Sequence, residues 1–317
     1  MMNPAALSTF FAVIAERLPA CSNEVRRVFH GRGRCYEGLE QITADWLGSG
    51  VLQIAIFKED EAAFYDALKQ GIADFQHGDV WKAIGGNTIV VQHRDREGAE
   101  TETFVGEQPQ QINVIENGLT YKLDLGKRQN NGLFLDMRLG REWVQNNAKH
   151  KRVLNLFAYT CGFSVAAIEG KADQVVNLDM ARSSLSRGRE NHQLNQHNLN
   201  QVAFLGHELF KSWGKVKKYG PYDLVIIDPP SFQKGSFVLT KDYAKILRRL
   251  PELVVEGGDV LACVNSPDIQ PSFLTEQMVE CAPAFEFVSR LDNPPEFEDI
   301  DSDSALKVMH FRHREVK

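Results

Sequence analysis

Acidic and small residues that could bind a cofactor follow three apolar runs of the sequence. The run within 151–164 ends in turn-forming residues around Gly162 and continues into a helical pattern, which predicts a strand, a tight loop and a helix. The second run ends at Asp179, and the third, 222–227, ends at Asp228 followed by two prolines. An acidic residue that closes the second strand of a nucleotide-binding βαβ unit reaches ribose hydroxyls, and two prolines fix an extended turn that exposes the preceding carboxylate. We expect these strand ends to outline one pocket.

The predicted pocket lacks the glycines of a dinucleotide site. A dinucleotide-binding loop uses the pattern G-x-G-x-x-G so that a helix N-terminus can approach the pyrophosphate, whereas this loop offers only Gly162. A dehydrogenase is therefore disfavoured. S-adenosylmethionine carries no phosphate, so carboxylates and apolar walls suffice for its adenosine, and its sulfonium favours aromatic faces such as Tyr159 and Phe232. We expect S-adenosylmethionine as the cofactor.

Length and composition indicate an ordinary soluble protein. The chain has 317 residues, 43% of them hydrophobic, which suggests two domains or one large domain with an appendage. Its five cysteines are odd in number and form no C-x-x-C pair, which argues against a disulfide framework and a zinc site. No apolar run reaches the roughly eighteen residues of a membrane span, and no charged-then-apolar signal opens the chain. We expect a cytoplasmic protein with reduced thiols, no bound metal and no membrane segment.

Positive charge is concentrated in two segments, although the formal net charge is −6. A negative total argues against generic adhesion to nucleic acid, but local basic patches matter more than the total. The lysine cluster at 211–218 is consistent with a nucleic-acid contact and equally consistent with a solvated surface. Four arginines among glycines are predicted to contact nucleic-acid phosphates, because guanidinium forks suit phosphate oxygens and glycine permits close approach of the backbone. These are Arg26, Arg27, Arg32 and Arg34.

The chain before position 127 predicts an N-terminal segment and a small domain. Residues 4–18 have an amphipathic helical pattern that suits domain packing rather than a membrane, because Lys and Arg are nearly absent from it. Short apolar runs with one helical stretch then predict a small α+β domain. The runs are 51–57, 88–92 and 119–125, and the helical stretch is 61–72. With a polar linker between Gly126 and Gly132, we expect an Arg/Gly-rich N-terminal segment at 1–37, a domain at 38–126 that could bind RNA, and a catalytic domain at 127–317.

The catalytic domain alternates helical and strand patterns, which predicts a parallel, doubly wound α/β sheet. Beyond the pocket segments, a helix is expected up to position 147, further helices at 181–194, 241–255 and 272–281, and strands at 202–205, 260–264, 285–290 and 306–311. The last two strands have only an acidic, proline-bearing loop between them. We therefore expect an antiparallel pair at the sheet edge, as in the Rossmann-like fold of class I methyltransferases.

Five segments of the chain resemble a known family. Residues 131–138, 154–160, 179–180, 228–232 and 257–261 are similar to blocks of the bacterial large-subunit ribosomal RNA methyltransferases that make 5-methylcytosine or 7-methylguanine. The resemblance runs from about Gly38 to the C-terminus and implies S-adenosylmethionine-dependent methylation of an RNA base, with 23S ribosomal RNA as the partner. By matching position, it also implies a set of cofactor-binding residues. These are Phe134, Asp136, Arg138, Phe157, Tyr159, Thr160, Gly162, Asp179, Met180, His207, Glu208, Asp228 and Pro229.

Two positions depart from the family pattern. Where many members have an acidic residue for the adenine amine, this chain has Gly206, His207 and Glu208, so that contact falls to His207, to Glu208 or to the backbone. Cys161 stands where the family usually has glycine.

Asn265 is the residue that bears most directly on the choice of base. Carbon 5 of cytosine becomes nucleophilic only after a thiolate adds to carbon 6, and the cytosine enzymes of the family carry that cysteine at the position that aligns with Asn265. Guanine N7 already has an in-plane lone pair, and positioning alone can supply roughly 7–11 kcal/mol of barrier reduction. The guanine-N7 members have asparagine around this position. We therefore favour N7 methylation, with Asp228, Asn265 and Phe232 as the catalytic residues.

Three other interpretations remain open. Cys263 lies on the same strand face as Asn265 and could serve a cytosine-C5 reaction, although a cysteine there is more often simply buried. Asp-Pro-Pro followed by an aromatic residue is also typical of enzymes that methylate exocyclic amines, although Ser231 intervenes here. The third is a non-catalytic RNA-binding protein that retains the fold, against which the intact acidic residues of the pocket speak.

Overall fold

The computed structural model describes residues 2–58, 61–96, 98–107, 109–126, 130–233 and 235–315. The chain forms two compact units: the first runs up to Leu135 and includes Pro294–Ser302, and the second comprises Asp136–Asn293 and the chain from Asp303 onwards. Positions 127–129 of the predicted linker lie outside the described residues. Each unit has its own hydrophobic core.

The first unit is built around a five-stranded sheet. The strands of the whole unit are β1 (Arg26–His30), β2 (Ile42–Trp46), β3 (Val51–Ile56), β4 (Thr88–His93), β5 (Thr101–Val105), β6 (Gln111–Glu116) and β7 (Leu119–Asp124). Its helices are α1 (Leu7–Cys21), α2 (Ala62–Phe75) and α3 (Asp79–Ala83), with 3-10 turns at Pro4–Ala6 and Gly31–Gly33. The sheet has the order β1-β2-β3-β4-β5, in which β3 and β4 pair in parallel and the other neighbours are antiparallel. Strands β6 and β7 form a separate hairpin.

The first residues of the chain belong to the same core as this sheet. Helix α1 buries Phe10, Ile14 and Leu18 at the spacing of one helical face, and β1 buries Val28 and Phe29 in the same cluster. The expected division at 37/38 therefore does not separate compact units, because β1 pairs with β2 across it. The boundary between the units falls at Leu135 instead of 126.

The second unit contains the predicted alternation of helices and strands. Its strands are β8 (Arg152–Leu156), β9 (Gln174–Asp179), β10 (Val202–Gly206), β11 (Tyr222–Ile227), β12 (Phe232–Gln233), β13 (Phe237–Val238), β14 (Val254–Val264), β15 (Phe285–Leu291) and β16 (Lys307–His313). Its helices are α4 (Arg138–Asn147), α5 (Gly162–Glu169), α6 (Arg182–Leu194), α7 (Trp213–Tyr219), α8 (Leu239–Leu247), α9 (Leu250–Leu253) and α10 (Ser272–Cys281), with 3-10 turns at Leu135–Met137, Leu199–Gln201 and Leu209–Lys211.

The main sheet of the second unit is doubly wound, as predicted. Its order is β10-β9-β8-β11-β14-β16-β15; the first five strands are parallel, and β16 runs antiparallel to both of its neighbours. The predicted antiparallel pair of last strands at the sheet edge is confirmed. Because parallel strands end at the same edge, the residues that follow β8, β9, β11 and β14 lie along one side of the sheet.

One predicted helix of this unit is wrong in its extent. The pattern at 241–255 predicted a single helix, but α8 ends at Leu247, a short helix α9 follows, and β14 already begins at Val254. Proline cannot donate the backbone hydrogen bond of a helix interior, and Pro251 accordingly lies in the first turn of α9. The strand β14 is therefore longer than the predicted 260–264.

Two kinds of feature are absent from the described part of the chain. It contains no helix long and apolar enough to cross a membrane. It also contains no group of three or more His, Cys, Asp or Glu side chains that could hold a metal ion.

Candidate cofactor and substrate site

The loop between β8 and α5 has an unusual backbone. Phe157, Tyr159 and Cys161 all have positive φ, at 56°, 46° and 63°, a region that residues other than glycine rarely occupy and that clusters at functional sites. Cys161 directly precedes α5 and is fully buried. It fits where the family usually has glycine because Gly188 of α6 faces it, and a Cβ at Gly188 would collide with the Cys161 sulfur.

Asp179 fastens this loop to the end of β9. Its Oδ2 accepts a hydrogen bond from the Tyr159 backbone N–H and its Oδ1 accepts one from the Ala181 N–H, both at 2.8 Å. Burial raises the pKa of the Asp179 carboxyl, and these two backbone hydrogen bonds act in the opposite direction. Each carboxylate oxygen has a second lone pair, so Asp179 can hold the loop and still accept hydrogen bonds from ribose hydroxyls.

A cleft beside Asp179 brings together five of the predicted cofactor residues. Phe157, Asp179, Met180, His207 and Glu208 line it together with residues that sequence reasoning missed, namely Leu178, Leu209, Phe210, Gln233 and Ser236. The ring of Phe157 packs edge-on against Phe237, with 5.1 Å between the ring centres. An apolar wall with polar groups at its rim is what an adenine ring requires.

His207 and Glu208 both have protein partners in this cleft. The Glu208 carboxylate accepts a hydrogen bond from the Phe210 backbone N–H at 2.7 Å and so caps the 3-10 turn Leu209–Lys211. The Nε2 of His207 lies 2.7 Å from the Lys215 ammonium; since an ammonium can only donate, that ring nitrogen accepts.

Asp136, Asp228 and Asn265 form a second cluster, which lies at the ends of β11 and β14. Burial, and then the charge of Asp136, raise the pKa of the Asp228 carboxyl to about 7, while Arg141 opposes the shift. The side-chain amide of Asn265 donates a hydrogen bond to Asp136 Oδ2 at 3.0 Å. Two carboxylates that interact in a partly buried place favour a cationic ligand, and the sulfonium and ammonium groups of S-adenosylmethionine fit this requirement.

The Asp-Pro-Pro turn is fixed against β14. The Ser231 hydroxyl donates a hydrogen bond to the Asn265 backbone carbonyl at 3.0 Å, so the serine that departs from the exocyclic-amine motif has a structural role. Pro229 is buried, whereas the side chain of Phe232 is 66% exposed in the small hairpin of β12 and β13. The ring of Phe232 is therefore open to solvent.

The remaining predicted cofactor residues differ in their placement. Thr160 is buried, and its carbonyl accepts a hydrogen bond from the Asn191 side chain at 3.0 Å. Gly162 is the first residue of α5, and Arg138 is the first residue of α4. Phe134 belongs to the first unit and is 43% exposed.

A buried polar chain behind the loop was not predicted. Asn155 of β8 donates to Asn177 of β9, which donates to the Ser164 hydroxyl of α5, each at 2.9 Å. Ser164 lies 2.8 Å from His192 Nε2, and the chain continues through His197 to Glu169 at the surface. The sequence signal was an asparagine inside each of two apolar strands.

Cys263 is buried in the core, within range of the charges of Asp228 and Asp136. It is fully buried among the residues that pack between β14 and the helices. Burial is the main cause that raises the pKa of its thiol, followed by the charges of Asp228 and Asp136. A thiolate is disfavoured under these conditions.

Three of the four arginines predicted to contact phosphates are engaged by carboxylates in the first unit. Arg26 pairs with Glu24, Arg27 pairs with Asp45 at 2.5 Å, and Arg34 pairs with Asp299 at 3.0 Å. Arg32 has a different partner, the neutral side chain of Gln41.

The fold and this arrangement of strand-end acids define a methyltransferase class. The family model of the S-adenosylmethionine-dependent methyltransferases matches residues 26–312, and the chain belongs to this family. The predicted cofactor, S-adenosylmethionine, is confirmed by this family match.

Curated proteins that are similar to this chain are named as large-subunit ribosomal RNA methyltransferases. Ribosomal RNA large subunit methyltransferase I of Aeromonas salmonicida is 32% identical over 196 residues, which cover 60% of this chain and 50% of that one. The candidate ribosomal RNA large subunit methyltransferase YwbD of Bacillus subtilis is 32% identical over 257 residues, covering 76% and 60% of the two chains. The chain thus spans only about half of the length of the curated relatives that it matches. The resemblance predicted from the sequence motifs is confirmed.

Solved structures share the fold of both units. SMU.776, a candidate methyltransferase that was solved in complex with S-adenosylhomocysteine, is 24% identical with a TM-score of 0.81 over 96% of this chain and 81% of its own. A candidate S-adenosylmethionine-dependent methyltransferase from Streptococcus mutans gives a TM-score of 0.82 at 24% identity, over 98% and 82% of the two chains. The predicted class I methyltransferase fold with a preceding small domain is confirmed.

Proposed function

We propose that this protein transfers the methyl group of S-adenosylmethionine to a base of large-subunit ribosomal RNA, and that the acceptor atom is guanine N7. The named relatives support the RNA target. The observation that carries the choice of atom is the pairing of Asn265 with Asp136 at the end of β14, while Cys263 of the same strand is buried in the core.

The cofactor side of the reaction depends on the carboxylates of Asp179 and Asp136. When bound, S-adenosylmethionine supplies an electrophilic methyl group on a positively charged sulfur. Asp179 accepts hydrogen bonds from the ribose hydroxyls, and Phe157 and Met180 cover the adenine in the cleft that they line. Asp136 provides the negative charge that the cationic end of the cofactor needs, and its charge helps to raise the pKa of Asp228.

The substrate side requires alignment rather than covalent activation. Guanine N7 attacks with its own lone pair, so the protein needs only to hold the base in line with the methyl group. The exposed ring of Phe232 stacks on the base. Because the pKa of Asp228 is near 7, its protonated form can donate a hydrogen bond to guanine O6, which lies next to N7.

Methylation of an exocyclic amine is the second candidate, and the same carboxyl favours it in the opposite protonation state. An ionised Asp228 at the end of β11 can accept a hydrogen bond from an amine. Ser231, which is bonded to the Asn265 carbonyl, shifts the aromatic residue one position further from the prolines than in that class of enzyme. Cytosine-C5 methylation is disfavoured, because it requires a thiolate at the base.

The product of the reaction distinguishes these candidates. Purified protein is incubated with labelled S-adenosylmethionine and unmodified large-subunit ribosomal RNA, and the RNA is digested to nucleosides for mass spectrometry. We expect the label in 7-methylguanosine. Label in a nucleoside methylated at an exocyclic amine would support the second candidate, and label in 5-methylcytidine would contradict the assignment to a ring nitrogen.

A further inference from the structure

Two arginines that are far apart in sequence share one aromatic ring in the first unit. Phe57 directly follows β3 and Arg94 directly follows β4, and these parallel strands end side by side, since Ile56 pairs with His93. Arg32 reaches the same ring from the 3-10 turn after β1. The guanidinium carbons of Arg32 and Arg94 lie 4.5 Å and 4.7 Å from the centre of the Phe57 ring.

Both guanidinium groups have hydrogen-bonding capacity to spare. Among the described residues, the Arg32 side chain donates only to the side-chain oxygen of Gln41 and the Arg94 side chain donates only to that of Asn130, each at 3.3 Å. The Nε of Arg94 is buried and has no hydrogen-bond partner among the described residues. Within the described part of the chain, neither arginine forms an ion pair with a carboxylate, in contrast to Arg26, Arg27 and Arg34.

The surroundings of this pair are positively charged. Burial lowers the pKa of Arg94, and so do the charges of Arg32 and Arg27, with partial compensation from Asp45. Burial and Arg27 act on Arg32 in the same direction. Arg94 is half-buried and Arg32 is exposed; their like charges repel each other, and the arrangement becomes favourable when an anion binds between them.

The chemistry of the two side chains selects the anion. Guanidinium groups stacked on a ring are held flat with their edges exposed, and such edges match phosphate oxygens through paired hydrogen bonds. We propose that Arg32 and Arg94, supported by Phe57, bind a backbone phosphate of the RNA substrate. The identity of the phosphate as part of RNA depends on the proposed function; the site itself depends on the geometry around Phe57. This replaces the broader expectation that all four arginines of the Arg/Gly-rich segment contact phosphate.

The proposal is tested by RNA binding at several salt concentrations. We compare the wild type with Arg32→Gln, Arg94→Gln and Phe57→Leu, and we use Arg34→Gln as the matched control because Arg34 is already paired with Asp299. Each phosphate contact contributes a logarithmic salt slope of roughly 0.7 for single-stranded RNA. Arg32→Gln and Arg94→Gln should each weaken binding about 3- to 10-fold and reduce the slope by about that amount. Arg34→Gln should stay within about twofold of the wild type.

Phe57→Leu separates a built site from a diffuse basic patch. It leaves the net charge unchanged and removes the ring that holds both guanidinium groups, so we expect weaker RNA binding with a normal unfolding temperature. Equal effects of Arg34→Gln and Arg94→Gln, or unchanged RNA affinity in Arg32→Gln and Arg94→Gln, would overturn the proposal. So would binding of inorganic phosphate that is lost in Arg94→Gln while RNA affinity stays the same.

The result of the RNA-binding test can be separated from the proposed methyltransferase activity. These positions lie outside the cofactor cleft, so the affinity for S-adenosylmethionine should be unchanged in all four variants. The KM for RNA should rise in Arg32→Gln, Arg94→Gln and Phe57→Leu while kcat is retained, and it should stay near the wild-type value in Arg34→Gln. A wild-type protein that methylates no RNA would contradict the proposed function. An unchanged KM for RNA in Arg32→Gln and Arg94→Gln of an active enzyme would contradict the phosphate site alone.

Discussion

At the scale of single residues, Asp179 combines two tasks that can be separated by mutation. Its oxygens hold the Tyr159 and Ala181 amides at 2.8 Å and are proposed to bind ribose. Asp179→Ala should lower the affinity for S-adenosylmethionine by about 1.5–3 kcal/mol, because a charge-assisted hydrogen bond is lost together with the fastening of the loop. Asp179→Asn keeps an acceptor oxygen and should lose less. Calorimetry that finds equal affinity in Asp179→Ala and the wild type would refute the ribose assignment.

The ring-nitrogen mechanism and the cytosine mechanism predict opposite effects of mutations at Asn265 and Cys263. If a ring nitrogen is the acceptor, Asn265→Ala should reduce kcat/KM roughly ten- to several-hundred-fold, which corresponds to about 1.4–3.5 kcal/mol of transition-state stabilisation. Part of this loss comes from Asp136, whose hydrogen-bond partner is removed. Cys263→Ala, two residues earlier in the sequence, serves as the control and should keep nearly all activity. A covalent adduct with 5-fluorocytosine-substituted RNA that disappears in Cys263→Ala would restore the cytosine mechanism.

At the scale of secondary-structure elements, the chain of buried side chains behind the loop ties two strands to two helices. A consistent set of donors runs from Asn155 through Asn177, Ser164 and His192 to His197. Ser164→Ala should cost about 1–3 kcal/mol of unfolding free energy, because the buried partners of the hydroxyl are left unsatisfied. Urea denaturation measures this cost. Ser186→Ala, at an exposed serine of α6, is the control and should change stability by less than about 0.5 kcal/mol. Equal effects in the two variants would show that the buried series of side-chain hydrogen bonds contributes nothing to stability.

The same series of buried, hydrogen-bonded side chains makes the stability of the protein depend on pH. Burial, and then His197 and Arg189, lower the pKa of His192 from 6.5 to about 3. The unfolded state therefore binds more protons between these values, so the contribution of His192 is fully present above pH 6.5 and is lost as the pH falls towards 3. Unfolding measured from pH 7 to 4 should show a shallower decline in His192→Gln than in the wild type, relative to each protein's stability at pH 7. Parallel curves would contradict a neutral, buried His192.

Elements of the second unit could be predicted from the sequence better than those of the first. Apolar runs that end in Asp179 and Asp228 defined β9 and β11 to the residue, because buried parallel strands are continuous in hydrophobicity. In the first unit, β1 was interpreted as a basic phosphate-binding segment, since its arginines obscured the buried Val28 and Phe29. The hairpin of β6 and β7 was also missed, although Asn117 and Gly118, which both have positive φ, form the typical sequence of such a turn.

The site could be predicted only in part, for a physical reason. The residue types at strand ends follow from local sequence, whereas their partners are set by which strands become neighbours. The bond between Asn265 and Asp136 joins positions 129 apart in sequence, and the site on Phe57 combines three separate segments. Neither spacing nor periodicity carries that information.

At the scale of the whole molecule, the proposed RNA contact and the cofactor site lie in different units. The net charge of −6 makes general attraction to RNA weak, so affinity should depend on local positive sites such as Arg32 and Arg94. The second unit carries the acidic cofactor site. Recognition of RNA and methyl transfer can therefore be impaired separately.

The most direct test of the account is the modification that the protein places on ribosomal RNA in the cell. Large-subunit ribosomal RNA is isolated from a deletion strain, from its parent, and from the deletion strain complemented with the wild type or with Asp228→Ala, and nucleoside digests are compared by mass spectrometry. We expect the deletion strain to lack one 7-methylguanosine, which the wild-type gene restores and Asp228→Ala does not. Identical digests from all strains, or loss of 5-methylcytidine instead, would contradict the account.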